Sequence, residues 1–351
     1  MPAFNRSFLT PAIRAVQNQH LIRLEALWNG IQPEHVLALD GIWFGRSHGL
    51  SGVNDIDMLE EPVAWLEDVL ADMALQADRL ADPLTFRPPV IELDPLGVHF
   101  MDALFGAETR FHGGQVWSGE LPGDLDDLRG PDLSRSVLFS QAQRLAELAV
   151  QASGGEIFIA TPVFACAINI AINLFGERLL EALHTRPESV RRALAVINET
   201  ILDATRRICA VIPAEIRRNS VAENRLAPAG VGQFDGCATQ LISRRDYVTF
   251  FAGLDEKLLA FNPRGGLLHL CGAHRQHIPV WREMQGLRAF QLNDRAMDDL
   301  EMYYMDLRSD TIFYLSPSEN VPVERIMEIT GGRRVVLQST LDRHIPVQSK
   351  L

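Results

Sequence analysis

The sequence predicts an α/β fold, a single (β/α)8 TIM barrel with an N-terminal helical extension, on two observations. Eight short apolar runs recur along the chain, at 36–40, 90–94, 157–160, 231–235, 267–271, 290–293, 311–315 and 335–338. Helix-period patterns lie between most of them, as parallel strands joined by crossovers require. Eight such strands specify a closed barrel better than an open sheet. The chain therefore divides into an N-terminal helical segment, 1–35, and a barrel domain, 36–351.

Each element has a local reason. Thr10 and Pro11 supply a cap and a first-turn proline, Ile13, Val16, Leu24 and Leu27 carry the apolar stripe, and Gly30 stops the helix. Trp65, Val69, Met73 and Leu80 mark a helix over 62–81, and another is expected over 137–152. A helix over 187–211 opens with a capping box of Thr185 and Glu188. Ser243, with Asp246 three residues later, caps a helix over 243–260, and two more run over 296–306 and 323–330.

Composition narrows the function. The chain has 351 residues, 47% hydrophobic and 22% charged, which is ordinary for a globular protein with a large core. Lys plus Arg total 33 against 45 Asp plus Glu, a formal charge of -12 with no persistently basic stretch. Nucleic acid and anionic membrane surfaces are therefore not the expected partners. The N-terminus lacks the apolar run of a signal peptide. The uncharged stretch 157–176 contains Pro162, Asn169 and Asn173, and reads as a strand followed by a buried helix rather than a membrane span. Cys166, Cys209, Cys237 and Cys271 have no framework spacing, so reduced thiols and a cytoplasmic location are expected.

His269-Leu-Cys271-Gly272 carries the most chemistry. Side chains two apart on a strand point the same way, so with Leu270 outward His269 and Cys271 share the interior near the strand's C-terminal end. Imidazole and thiolate are soft ligands suited to zinc. The competing account is that a histidine and a small thiol fill a core layer. In a barrel the functional mouth lies at the C-terminal ends of the strands, where Asp40, Asp94, Thr161, Asp235, His269, Cys271, Asn293, Ser316 and Ser339 fall. Helix-capping chemistry accounts for about half of these. Asp235 stands out because Gly236 follows it and Cys237 and Gln240 share its loop. No glycine-rich phosphate loop is present: Gly230-Val-Gly232 is too short, and Gly113-Gly114 reads as a turn.

The segment from Phe234 to Asn293, with Phe234-Asp-Gly-Cys-Ala-Thr-Gln240, Leu241-Ile-Ser243, the aromatic helix from Tyr247 and Leu268-His-Leu-Cys-Gly272, resembles the uroporphyrinogen decarboxylase superfamily. Weaker similarity extends to Ala160-Thr-Pro162 and Gly331-Gly332. The resemblance implies a barrel and one of two chemistries. One is cofactor-independent decarboxylation of uroporphyrinogen; the other is zinc-dependent methyl transfer between a corrinoid protein and a thiol such as coenzyme M.

The decarboxylases carry an arginine-rich N-terminal motif that clamps substrate carboxylates. Here Arg46 supplies the second arginine and Ile42 stands in place of the first, while Asp94 matches the family's acidic residue; Arg46 and Asp94 are the substrate-binding candidates. The methyltransferases use His-x-Cys and a cysteine after the last strand. His269 and Cys271 match, but Ser339-Thr340 stand at the late position. Cys237, Asp235 or Asp294 is expected to complete the metal set, with His274, His277 and His344 as more remote candidates. The expectation is a zinc-dependent methyltransferase with metal ligands His269, Cys271 and Cys237, and with Asp235, Gln240 and Asn293 orienting the substrate. Its partners would be a small-molecule substrate and a corrinoid protein, with a homodimer left open. A decarboxylase, or a non-catalytic binder of a tetrapyrrole or corrinoid protein, is the alternative.

Overall fold

The computed structural model describes residues 4–41, 44, 57–112, 115–162, 164–219 and 225–348. Thr10 accepts from the Ile13 N–H at 3.3 Å and opens the helix Pro11–Trp28, as the cap predicts. Twelve strands follow among the described residues: β1 Leu37–Leu39, β2 Thr85–Phe86, β3 Val90–Glu92, β4 Thr109–His112, β5 Gln115–Ser118, β6 Phe158–Ala160, β7 Arg217–Arg218, β8 Gly232–Asp235, β9 Gly266–Leu270, β10 Leu287–Leu292, β11 Ile312–Leu315 and β12 Val335–Leu337. Only β4 and β5 form an antiparallel hairpin.

The remaining strands make two parallel sheets, one ordered β2-β1-β12-β11-β10-β9-β8 and one ordered β3-β6-β7. They are joined in two places. The chain runs from β2 into β3 through Arg87-Pro88-Pro89, so one bent segment belongs to both sheets. At the other side Ala165 bridges Asp235 in parallel, and the Cys166 N–H donates to the Asp235 carbonyl at 2.9 Å. The arrangement is barrel-like, but no continuous ring of strand pairing closes among the described residues. This is consistent with the expected TIM-barrel-like fold, with closure not detected among the described strands. Pro88 and Pro89 have no N–H to continue a ladder, which ends one sheet and starts the next. The two-residue β7 was not expected, because Arg217-Arg218 shows none of the apolar patterning of a strand.

β1, β3, β8, β9, β11 and β12 are buried along their length, the pattern of parallel strands covered on both faces. Helix Val137–Ser153 lays its apolar stripe against β6 and against helix Pro187–Val211. No described helix is long and apolar enough to cross a membrane.

Several helix details differ from expectation. The helix expected over 62–81 breaks at Gln76 into Pro62–Leu75 and Ala77–Leu80. Thr185 does not cap Pro187–Val211: its hydroxyl donates to the Glu181 carbonyl at 3.0 Å and closes the preceding helix, Glu177–Thr185. Ser243 does cap, accepting from the Asp246 N–H at 3.1 Å. Its helix then opens into a π-helical turn, Tyr247–Phe251, before resuming as Ala252–Ala260. The buried Tyr247 there donates to Asp255 at 2.7 Å and accepts from Trp281 Nε1 at 3.0 Å.

Polar groups inside the barrel are paired. Arg225 Nη1 reaches Asp235 Oδ1 at 2.6 Å, with both side chains under 5% exposed. In the amide orientation that satisfies both partners, Gln233 accepts from Arg225 Nε at 3.2 Å and Nη1 at 2.8 Å. Removing one partner of a buried ion pair leaves an uncompensated charge. Arg225→Ala is therefore expected to lower stability by about 3–5 kcal/mol in urea unfolding followed by tryptophan fluorescence. Arg225→Met combined with Asp235→Leu should recover most of that loss.

Candidate metal centre

The centre is set by how β8 and β9 pair. Asp235 lies opposite His269 in the parallel register, and the Gly236 N–H donates to the His269 carbonyl at 3.0 Å, so pairing continues one residue past β8. A Cβ on Gly236 would come within 2.9 Å of Leu268 Cδ1, and only glycine permits this approach without displacing the leucine. Cys237 follows at once and opens the short 3-10 turn Cys237–Leu241. Cys271 follows β9 in the same way. The result is that the ligand atoms of Cys237, His269 and Cys271 all lie within 4.8 Å of one another. The histidine is buried and both cysteines are half-buried.

The two loops are fastened to each other by histidines. The Gly272 N–H donates to His274 Nε2 at 3.1 Å, so His274 Nδ1 carries the proton and donates to Thr239 Oγ1 at 2.8 Å. The Thr239 hydroxyl in turn donates to the Gly236 carbonyl at 2.8 Å. His277 Nε2 donates to the Thr239 carbonyl at 2.9 Å. Both histidines bind the scaffold in this way, and neither belongs to the Cys237–His269–Cys271 cluster. His344 stacks on His35 at 4.5 Å, beside the backbone bridge from His35 to Pro346 that precedes β1.

The two cysteines share a proton unevenly. Donation from Cys237 holds the Cys271 thiol well below its ordinary range, helped by the hydrogen bond and charge of His269, against opposing burial and the charge of Asp294. Donating that hydrogen bond, together with burial, pushes Cys237 upward. The pair thus favours the thiolate at Cys271 over Cys237. Burial raises the thiols of Cys166 and Cys209, which play no part here.

The other expected site residues are distributed around this centre. Asp235 is buried and committed to Arg225. Gln240 is exposed and lies so close over Gly272 that a Cβ there would run into its amide. Asn293 lies just past β10, half-buried, its N–H donating to the Leu270 carbonyl at 2.9 Å. Asp294 is exposed, with φ 44°. Asp94 is buried two residues beyond β3, in the other sheet from β9. Arg46 lies outside the described residues. The Ser339 hydroxyl donates to the Thr340 carbonyl at 3.2 Å. Cys237, and not a group from the last strand, completes the cluster.

One residue without a role in the sequence analysis touches the centre from behind, and a second braces it. Gln291 sits opposite His269 in the β9–β10 register, and its Oε1 accepts from His269 Nδ1. Gln291 Nε2 donates to Gln338 Oε1 at 3.0 Å. The available signal was a glutamine within each of the apolar runs Phe290-Gln-Leu292 and Val335-Val-Leu-Gln338, where alternation alone gives no reason for one.

No protein-family model matches this chain, and no curated protein does. Among solved structures it is similar to a methyltransferase from Methanosarcina mazei, at 12% sequence identity, with 94% of each chain covered and a TM-score of 0.64. At that identity the likeness is one of fold.

The locked, buried His274 gives the fold a pH dependence. Burial, reinforced by the nearby His277 and His269, lowers its pKa from 6.5 to about 3. A histidine depressed in the folded state favours folding fully above its unfolded pKa and loses that contribution as pH falls toward the folded value. Stability should therefore fall as the pH drops from about 6.5 toward 3, measured by thermal melts across that range. His274→Gln should flatten the decline.

Proposed function

We propose that this chain is a methyltransferase of the uroporphyrinogen decarboxylase superfamily type, dependent on zinc, moving a methyl group from a corrinoid or methylated small molecule to a thiol. The observation that carries the reading is the convergence of Cys237, His269 and Cys271 on a point at the C-terminal ends of two adjacent strands. The fold shared with a methyltransferase supports it.

The donor set fits zinc: two sulfurs and one imidazole, borne by strand ends, a three-residue set of the kind that leaves a position for substrate. When bound, zinc supplies a Lewis acid that lowers the pKa of a substrate thiol. The Cys271 thiol is held low and so is the readier ligand, and the Cys237 proton must leave when that sulfur is engaged as a ligand. His269 donates through Nδ1 to Gln291, which leaves Nε2 as the ligand nitrogen. Exposed Gln240 and half-buried Asn293 stand on the rim, where an amide can orient a substrate by hydrogen bonds. Asp235, neutralised by Arg225, keeps a net negative charge away from an approaching thiolate.

The decarboxylase alternative asks for cations free to receive several carboxylates. Near β1, Arg79 and Arg87 both pair with Asp40, and Arg87 is buried beneath the Phe44 ring at 4.3 Å. Each already has a carboxylate partner in Asp40.

Protein purified without added metal is expected to hold about one zinc per chain by elemental analysis, and Cys271→Ala or Cys237→Ala should remove most of it. With methylcobalamin as donor and 2-mercaptoethanol as acceptor, the wild type should form the thioether and Cys271→Ala should not. Metal-free wild type, with the stability of Cys271→Ala unchanged, would overturn the reading. Turnover of uroporphyrinogen that survives Cys271→Ala would move the chain to the decarboxylase branch.

A further inference from the structure

Two neutral amides stand where the strand pattern asks for apolar side chains. Gln291 is fully buried and Gln338 is nearly so. A buried amide persists only where hydrogen bonds replace those it made to water, and here the bonds form a directed chain. Ser316 Oγ donates to Gln338 Oε1 at 3.0 Å, and Gln291 Nε2 donates to the same oxygen at 3.0 Å. Gln291 Oε1 is thereby turned toward His269, where it accepts from Nδ1. The relay crosses the ends of four strands in sheet order or nearly so, from β9 through β10 to β12 and β11.

We propose that Gln291, held by Gln338 and Ser316, is a positioning residue that fixes the proton of His269 on Nδ1 and so presents Nε2 toward Cys237 and Cys271. The proposal rests on the metal-centre reading above and adds to it the group that orients its histidine. An imidazole has two nitrogens, and the one that serves as a ligand is decided by the hydrogen bond made at the other. A carboxylate would serve the same end while adding a charge. The amide accepts equally well and leaves the charge of the centre to its two cysteines.

The relay also separates this role from mere filling of space. Methionine or leucine in place of Gln291 would occupy a similar volume and satisfy packing, but would accept nothing from Nδ1. Glutamate in its place would keep an acceptor at the same position. A structural role predicts that the variants sort by volume; a positioning role predicts that they sort by acceptor.

The test has two readouts, neither of them catalytic. In metal-free wild type, nitrogen-15 correlation spectra of the histidines should place a hydrogen-bonded proton on His269 Nδ1, and Gln291→Met should lose that signal. In competition with a chromophoric chelator, Gln291→Met should bind zinc roughly 10–100-fold more weakly than wild type, with Gln291→Glu restored to the wild-type range or tighter. Gln338→Met, which removes the anchor and not the acceptor, should fall between them. A wild-type His269 without a proton on Nδ1 overturns the proposal, whatever the variants do. So does zinc affinity in Gln291→Met equal to wild type, or a loss in Gln291→Glu as large as in Gln291→Met. If the wild type binds no zinc, the metal-centre reading fails, and the Nδ1 proton still decides the relay by itself.

Discussion

The pairing of β8 with β9, carried one residue past Asp235, is the constraint on which the centre depends. Because Gly236 continues the ladder to His269, the residue after it must leave the sheet beside the residue that leaves β9. Those residues are Cys237 and Cys271. A slip of one position would turn His269 and Cys271 together to the opposite face and separate both from Cys237, since side chains alternate with a period of two. The small volume of Gly236, the Thr239–His274 bond and the His277–Thr239 bond all hold this register by restraining the loops that follow the strands.

Around that constraint the barrel interior follows a rule of paired polarity. Asp235 answers Arg225, Asp40 answers Arg79 and Arg87, and Gln291 answers His269 on one side and Gln338 on the other. Each group would be costly to bury alone. The pairings have a functional consequence as well as a structural one. They commit Asp235, Arg225 and Asp40 near the strand ends, beside the sulfur and imidazole cluster.

The likeness to a methanogen methyltransferase at 12% identity covers nearly the whole chain, yet the cluster of candidate ligands differs from the set that the sequence resemblance implies. The resemblance places a third cysteine after the last strand. Here that region supplies Ser339 and Gln338, and Gln338 anchors the amide relay, while Cys237 from the β8 loop provides the second sulfur. A similar donor set is thus assembled from adjacent strands instead of from across the mouth.

The sequence by itself determined the strand and helix rhythm, the caps at Thr10 and Ser243, the gathering of polar residues at strand ends and the shared face of His269 and Cys271. Those are local properties, set by periodicities of 2 and 3.6 residues and by capping chemistry that acts over three or four positions. It also admitted Cys237 as one of several candidates for a third ligand, without a way to choose among Asp235, Asp294 and three remote histidines. That choice belongs to the tertiary structure, because it depends on which residues leave neighbouring strands side by side. The same is true of the break at Pro88-Pro89, which shows in the sequence as two prolines but becomes a division between sheets only once β1 and β6 are seen to pair on either side of it. Gln291 and Gln338 lie 47 residues apart, and their partnership with His269 is a matter of register across strands that no local pattern encodes.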